Sequence, residues 1–404
     1  MKIYGGKIAE NGFKKREIFF RRNFLLSFLT LFLLFTPAYI QQLPFAFFFT
    51  YLRLFIAVFW GIKILAGKKI SFYCLLVCFY YVLLIISTAF NKGTLFQTIW
   101  GSIIGLTGVF YIERYAKQRK HDLLFTVYSY FLLCVVLSII TFIVWPNGLY
   151  YNGDVDAMYH FLGNYNTIIN HVIPMAIAGI CYSETYYCKN TKNIMVIVLI
   201  ASLYMFFCFK ALTSFIITAL IIVAVFLLKA RHWDLFLNLP AYITTIILSF
   251  FILIFYREPI RYIASLLVSA GKDITFSGRT IIWDYAIYWI KNAPILGNGA
   301  QTSEFILKRF GDGIVWGADH AHNMFLQVAY LTGYSGFIIF FLIVMAVIIN
   351  IYKMEDKKMK RTQGLITFAL FLGFLVEVMS FTFIFFLFAL LIAVCKNYKT
   401  CYRK

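Results

Sequence analysis

Long apolar stretches separated by short polar and basic segments constrain this chain more than any other feature. A helix of about 20 apolar residues crosses a bilayer core, and that length gives about twelve spans here. With 62% hydrophobic and only 13% charged residues over 404 positions, the chain is too apolar for a soluble domain of this length. The sequence therefore predicts an all-α polytopic membrane protein.

Two pairs of predicted spans are closely spaced, at 193–229 and 363–395. Each stretch is too long for one helix and short for two, so a tight hairpin or a broken pair of helices is expected at each. The predicted spans are approximately 24–43, 47–66, 71–90, 94–112, 122–145, 166–187, 193–209, 211–229, 236–256, 322–350, 363–379 and 381–395.

Basic residues predict the orientation of these spans. Cytoplasmic loops carry the excess of Lys and Arg, and a cytoplasmic N-terminus places most of the 37 basic residues on that side. The net charge of +20 would suggest a nucleic-acid partner in a soluble protein. Here the basic residues form short runs between apolar stretches, which is typical of topology signals and lipid contacts. Cytoplasmic termini, membrane lipid as a partner and no nucleic acid are therefore expected.

The spans and loops divide the chain into five expected parts. A cytoplasmic segment at 1–23 precedes nine spans at 24–256, and a long outer loop at 257–320 precedes three spans at 321–395. A cytoplasmic tail at 396–404 follows. The long loop is the one extramembrane stretch large enough to carry a folded site, so the sequence predicts that it is catalytic.

Within that loop, Arg279 follows Ser277, a candidate helix N-cap, and precedes the helix-like run IIWDYAIYWI, which ends near Asn292. An Arg in the first turn of a helix adds forked donors to free backbone N–H groups, and this combination suits a phosphate or pyrophosphate. The alternatives are an Arg snorkelling at the membrane surface or one that pairs with Asp284.

The loop closes with His320 and His322, immediately before the next apolar run. A neutral imidazole can accept a proton from a sugar hydroxyl, which is the task of a general base. Residues two apart lie on nearly opposite sides of a helix, so both histidines can face one site only if this stretch is extended. Helix capping or contact with lipid headgroups is the alternative.

The His-x-His spacing is also that of a metal-ligand pair. Asp319 is a candidate further ligand, as are Asp156 and His160 from a shorter outer loop at about 146–165. No second close pair of ligands is visible, so the sequence predicts neither a metal site nor a cofactor.

Three charged residues lie within or at the ends of predicted spans. A charge there is costly without a partner, so each is a functional candidate. Lys210, in FFCFKALTSF, and Arg53 are cations at the outer ends of spans, although snorkelling to the headgroups explains Arg53 equally well. Glu377 is the one acidic residue well inside an apolar stretch, and it could neutralise one of these cations or a buried histidine. A purely structural ion pair is the alternative.

Arg279 in SGRTIIWDYAIYWI, the following PILGNG, and HAHN leading into FLQVAYLTGYSG resemble the O-antigen ligase and polysaccharide polymerase superfamily of bacterial envelopes. The close resemblance covers about 277–340. It implies a protein of the bacterial cytoplasmic membrane that transfers glycans from undecaprenyl pyrophosphate to an acceptor hydroxyl, without a metal and with inversion. It also implies that His322 is the catalytic histidine, with His320 in support, and that Arg279 binds the pyrophosphate.

Lys210 looks like the counterpart of a second, membrane-embedded Arg of that superfamily. A Lys keeps the charge but loses the forked contact, so it can bind phosphate only as a point charge. With Arg53, it is a candidate for assisting Arg279.

Two enzyme activities and one transport activity fit this resemblance. A polymerase, which extends a chain on another lipid-linked repeat, is favoured because the 146–165 loop resembles that of capsule and exopolysaccharide polymerases. A ligase that delivers the glycan to lipid A core or another envelope acceptor is the first alternative. A transporter or flippase of the same glycans is the second, although it would predict paired repeats that are not visible. The expected partners are the donor glycan, the acceptor glycan, a chain-length regulator and a separate flippase.

Overall fold

The computed structural model describes residues 23–67, 70–118, 120–152, 157–227, 239–255, 279–310 and 318–397. Its helices are α1 (Asn23–Leu34), α2 (Ala38–Gln41), α3 (Phe47–Leu65), α4 (Phe72–Phe90), α5 (Leu95–Gln118), α6 (Lys120–Val144), α7 (Tyr165–Tyr186), α8 (Lys189–Cys208), α9 (Leu212–Leu227), α10 (Leu239–Phe255), α11 (Arg279–Asn292), α12 (Ser303–Arg309), α13 (Met324–Tyr352), α14 (Lys357–Val376) and α15 (Phe381–Asn397).

These helices confirm the predicted all-α polytopic membrane fold. Within the described ranges, seven helices are long and apolar enough to cross a membrane: α3, α4, α5, α6, α8, α13 and α14. Four more apolar helices are shorter, namely α1, α9, α10 and α15. The number of twelve spans therefore stays a prediction.

Proline divides the first predicted span. Helix α1 ends at Leu34, and Pro37 occupies the N-cap of the short helix α2. Proline has no N–H to donate and disfavours a helical conformation in the residue before it, so a break in the helix is favoured at this position.

Both closely spaced pairs of predicted spans form two helices each. A turn at 209–211 joins α8 to α9, with Lys210 in a left-handed conformation at φ 54°. Helix α14 begins at an N-cap, where the Asp356 side chain accepts a hydrogen bond from Met359 N at 2.8 Å. The helix ends at Val376, because the backbone turns to an extended conformation at Glu377 (φ −146°, ψ 155°). Glu377, which the predicted span at 363–379 includes, therefore lies in the non-helical break at 377–380 and not in the helix itself.

The predicted loop at 146–165 contains a small β-hairpin. Strand β1 (Tyr150–Asn152) pairs antiparallel with β2 (Ala157–Tyr159), and Tyr150 lies opposite Tyr159. Asp156, a candidate metal ligand from the sequence, lies outside the described residues.

Helix packing brings three parts of the chain to one end of the bundle. Helix α4 packs against α13, α9 against α14, and α5 against α15, while α11 packs on α13 and α13 on α14. The first residue of α11, the segment before α13 and the break after α14 consequently lie together.

A kink at Gly333 divides α13 and allows the 293–301 segment to approach closely. Gly333 has φ 62° and ψ −166°, a conformation that is essentially restricted to glycine. A Cβ at Gly333 would lie 2.4 Å from Ile295 O, and a Cβ at Gly297 would lie 2.4 Å from Gly333 N. Glycine is therefore required on both sides of this backbone crossing.

The same segment satisfies backbone groups that the kink leaves without helical partners. Asn298 N donates to Tyr330 O at 2.8 Å, and Gly299 N donates to Leu331 O at 3.0 Å. From α4, the Ser87 hydroxyl also donates to Leu331 O at 2.8 Å. These bonds hold the loop against the first half of α13, the half that follows the two histidines.

Arg309 is another arginine of the long loop, and its contacts are structural. Its Nη1 donates to the Asn298 side-chain oxygen at 2.6 Å. Its guanidinium also lies 4.0 Å from the Trp289 ring centre and 4.5 Å from that of Phe305. Cation–π contact on both rings and a charge-assisted hydrogen bond place Arg309 in the packing of the loop.

Candidate active site

Arg279, His320, His322 and Glu377 form one cluster, which we call the Glu377 cluster. Nη2 of Arg279 lies 3.0 Å from Oε2 of Glu377. Nδ1 of His322 lies 3.5 Å from Oε1 of the same carboxylate, and Nε2 of His320 lies 3.6 Å from it. One carboxylate thus contacts the three residues that the sequence proposes for catalysis and pyrophosphate binding. The Glu377 side chain is only 12% exposed, so these interactions are weakly screened by water.

The backbone around His322 is held in a strained conformation. His322 has φ 45°, a left-handed value that costs a non-glycine residue about 1 kcal/mol or more. On one side, Ala321 N donates to the Gln327 side chain at 2.9 Å. On the other, Asn323 caps α13 by accepting from Leu326 N at 3.0 Å. These bonds fix the neighbours of His322 and stabilise its conformation.

Asn323 also links His322 to Glu377 through the backbone. Its Nδ2 donates to Leu375 O at 2.9 Å, two residues before Glu377. Asn323 is completely buried, so this bond fixes the start of α13 relative to the end of α14.

Because residues 318–323 are not helical, both histidines face the same site. Their ring centres lie 4.1 Å apart. Nδ1 of His320 is also hydrogen-bonded to the Asp319 carboxylate. The structure thus has a non-helical stretch here, and the left-handed conformation at His322 takes the place of the extended one that the sequence left open.

The charges of the cluster follow from burial and from these contacts. Burial lowers the pKa of His320, but its hydrogen bond to Asp319 and the nearby carboxylate of Glu377 outweigh this effect and raise the pKa to about 9. Burial, partly offset by Glu377, lowers the pKa of His322. For Glu377, burial raises the pKa, but the two histidines and Arg279 outweigh it and hold the pKa well below its usual range. At neutral pH, His322 is therefore a neutral imidazole next to an imidazolium and a carboxylate.

His320, His322 and Glu377 could also hold a metal ion, because their ligand atoms lie within 4.8 Å of one another. The sequence argument against a metal relied on a single close pair of ligands, and Glu377 adds a third ligand that it did not count. The guanidinium of Arg279 is 3.0 Å from the same carboxylate, and its positive charge opposes a divalent cation here. The absence of a metal requirement stays a prediction.

Residues 195–341 match the O-antigen ligase family. The match confirms the resemblance to the O-antigen ligase and polysaccharide polymerase superfamily, and it supports a multi-pass membrane protein with glycosyl transfer of the ligase or polymerase type. No curated protein matches the chain.

The matched region of the O-antigen ligase family includes Arg279, His320, His322 and Lys210. Arg53 and Glu377 lie outside it. Glu377 therefore joins the cluster from a part of the chain that the family match does not cover.

Lys210 lies in the turn between α8 and α9 with an exposed side chain. The ring of the preceding residue, Phe209, lies 4.9 Å from the His160 ring and 5.9 Å from that of Tyr165. Lys210 is therefore near the β-hairpin loop, and in the described ranges no hydrogen bond or ion pair joins its side chain to Glu377 or Arg279. Its proposed part in substrate binding stays a prediction.

Arg53 contacts a backbone carbonyl rather than the Glu377 cluster. Its Nε donates to Leu33 O at 2.8 Å, in the last turn of α1. Carbonyls in the last turn of a helix lack intrahelical partners, so this bond caps α1. The contact favours a structural role over substrate binding.

Glu377 is the site residue that the sequence identified least well. Its isolation in an apolar stretch was a valid signal that it neutralises a cation or a histidine, and it contacts an arginine and two histidines. Sequence spacing instead suggested Asp284 as the partner of Arg279, whereas Glu377 lies 98 residues away along the chain. Asn323 and Gln327, which hold the His322 segment, were not identified.

Proposed function

We propose that this protein is a polysaccharide repeat-unit polymerase. It transfers a glycan from undecaprenyl pyrophosphate to a sugar hydroxyl on another lipid-linked repeat unit. The observation that carries the proposal is the Glu377 cluster, in which a neutral imidazole and a guanidinium lie on either side of one carboxylate that is 12% exposed. A base for the acceptor and a cation for the leaving group are the two elements that a metal-free displacement requires.

His322 serves as the general base in this proposal. Its Nδ1 faces Glu377, so Nε2 is the atom that takes the proton of the acceptor hydroxyl. The acceptor oxygen attacks the anomeric carbon from the side opposite the pyrophosphate. The new C–O bond forms as the bond to the phosphate oxygen breaks, and the pyrophosphate leaves with the electron pair, which inverts the anomeric carbon.

Arg279 holds the pyrophosphate during this step. Its forked donors match two phosphate oxygens, and the imidazolium of His320 adds a second positive charge nearby. Fixed cations stabilise negative charge as it develops without having to reorganise, so the displacement needs no metal. In this proposal, Lys210 and Arg53 assist Arg279 in binding the donor only if the donor reaches the turn between α8 and α9 or the end of α1.

The test is a transfer assay with the purified protein in nanodiscs and a strong chelator. A single lipid-linked repeat unit is supplied as both donor and acceptor, and lipid A core is offered in a parallel reaction. A ladder of lengthened glycans is expected from the repeat unit alone, with or without chelator.

Other products of this assay contradict specific parts of the proposal. Transfer to lipid A core alone identifies a ligase. Movement of the repeat unit across the bilayer without bond formation identifies a transporter. Activity that chelation removes and a divalent ion restores shows that the cluster works with a metal. The polymerase proposal also expects a flippase and a chain-length regulator as partners in the cell.

The proposal places the protein in the bacterial cytoplasmic membrane, with 1–23 and 396–404 in the cytoplasm and 257–320 on the outer face. In intact cells, a membrane-impermeant maleimide should label Lys308→Cys, whose native side chain is 63% exposed on α12. It should label Lys357→Cys, at the start of α14, only after lysis. The parent protein, with its eight native cysteines, gives the background. If only Lys357→Cys is labelled in intact cells, the protein has the opposite orientation.

A further inference from the structure

The two oxygens of Glu377 face different functional groups. Oε2 accepts a hydrogen bond from Arg279, the proposed donor site, at 3.0 Å. Oε1 lies 3.5 Å from Nδ1 of His322, the proposed base, and 3.6 Å from Nε2 of His320. An N–H···O bond has its optimum near 2.9 Å, so the contact of Oε2 is a full charge-assisted bond and those of Oε1 are too long for strong ones. Nδ1 of His322 is buried without a hydrogen-bond partner at normal distance.

Glu377 is therefore hydrogen-bonded to Arg279, which is the cation that the donor pyrophosphate is proposed to bind. A pyrophosphate on Arg279 would bring further negative charge beside a carboxylate that is 12% exposed. Two anions cannot share one guanidinium at low exposure without strong repulsion, so binding of the donor favours departure of the carboxylate from Arg279.

On the basis of the proposed function, we propose that Glu377 is a positioning residue that couples donor binding to activation of His322. The donor pyrophosphate displaces the carboxylate from Arg279, and the carboxylate then closes on Nδ1 of His322. A short bond from Nδ1–H to Glu377 holds His322 in the tautomer whose Nε2 is free to accept a proton. It also stabilises the imidazolium that forms during transfer.

The geometry around Glu377 permits this movement. Closing from 3.5 Å to a normal bond length requires a shift of less than about 1 Å. Residues 377–380 are non-helical, so the side chain can turn without breaking α14. The bond from Asn323 to Leu375 keeps His322 and the end of α14 in place while the carboxylate moves.

Glu377→Gln tests the coupling because the amide keeps the shape and removes the charge. The variant should bind undecaprenyl pyrophosphate more tightly than wild type, since no anion competes for Arg279. It should also lose about 10²- to 10⁴-fold in kcat, since His322 lacks its carboxylate partner. A purely structural ion pair cannot give these opposite changes. Binding of undecaprenyl pyrophosphate in nanodiscs and steady-state transfer with the repeat unit supply the two measurements.

The matched control is Glu304→Gln, an 80% exposed carboxylate on α12 that pairs with Lys308. It should change neither quantity. Glu377→Asp keeps the charge with a shorter side chain and should recover part of the kcat lost in Glu377→Gln. If Glu377→Gln does not accumulate, Glu377→Asp serves alone, and its kcat should fall without weaker binding of undecaprenyl pyrophosphate.

The coupling is wrong if Glu377→Gln weakens lipid binding, or if its kcat equals that of wild type. Failure of the proposed function looks different, because wild-type protein then forms no polymer or His322→Ala protein keeps full activity. A Glu377→Gln protein with wild-type kcat, together with an inactive His322→Ala protein, overturns the coupling and leaves the proposed function standing.

Discussion

His322→Ala protein should transfer glycan about 10²- to 10⁴-fold more slowly than wild type while it still binds the donor. The change removes the imidazole that accepts the acceptor proton and leaves Arg279 in place. Single-turnover transfer with prebound donor measures the rate, and undecaprenyl pyrophosphate binding measures the donor site. His121→Ala is the matched control, because His121 lies at the start of α6 beside Asp122 and not in the Glu377 cluster.

A normal rate for well-folded His322→Ala protein would show that another group takes the proton. His320 and Asp319 are then the next candidates, because the imidazole of His320 lies 4.1 Å from that of His322 and is hydrogen-bonded to Asp319.

Arg279→Lys should bind undecaprenyl pyrophosphate about 10- to 100-fold more weakly and should also transfer more slowly. A hydrogen bond to a charged group contributes about 1.5–3 kcal/mol, and an ammonium cannot reproduce the forked contact of a guanidinium with two phosphate oxygens. Lys308→Arg, an exposed cation of the same loop, is the matched control and should bind like wild type. If Arg279→Lys protein binds undecaprenyl pyrophosphate with wild-type affinity, Arg279 is not the residue that binds the pyrophosphate.

Folding must be measured before either result is interpreted. Arg279 and Glu377 are 20% and 12% exposed, and loss of one partner leaves a poorly solvated charge. The strained backbone at His322 adds to this sensitivity. The amount of protein in the membrane and its thermal unfolding in nanodiscs separate loss of fold from loss of chemistry.

The membrane fold was predictable because a span requires a fixed length of apolar residues. The detailed course of the spans was not, since each deviation depends on a few residues. Pro37 divides the first span. Gly333 kinks α13, although the apolar sequence around it is uninterrupted. The Asp356 cap starts α14 before the apolar stretch, and an extended backbone at Glu377 ends the helix at Val376.

The candidate site was predictable where chemistry is local in sequence. Arg279 and the two histidines stand out from the motifs around them, and the structure brings them together. Their common partner, Glu377, could not be assigned from spacing, because helix packing alone brings the end of α14 to the start of α13. Lys210 and Arg53 were identified differently, because a charge in an apolar stretch suggests function. The structure places Lys210 in an exposed turn and gives Arg53 a helix-capping bond, and their part in substrate binding stays a prediction.

Division of labour between His322 and Arg279 is the central claim, and one comparison in nanodiscs tests it most directly. Donor binding and single-turnover transfer are measured side by side for His322→Ala and Arg279→Lys. We expect His322→Ala protein to bind undecaprenyl-pyrophosphate glycan like wild type and to transfer almost none of it, while Arg279→Lys protein binds it more weakly. Full-length polymer from well-folded His322→Ala protein would contradict general-base catalysis by His322.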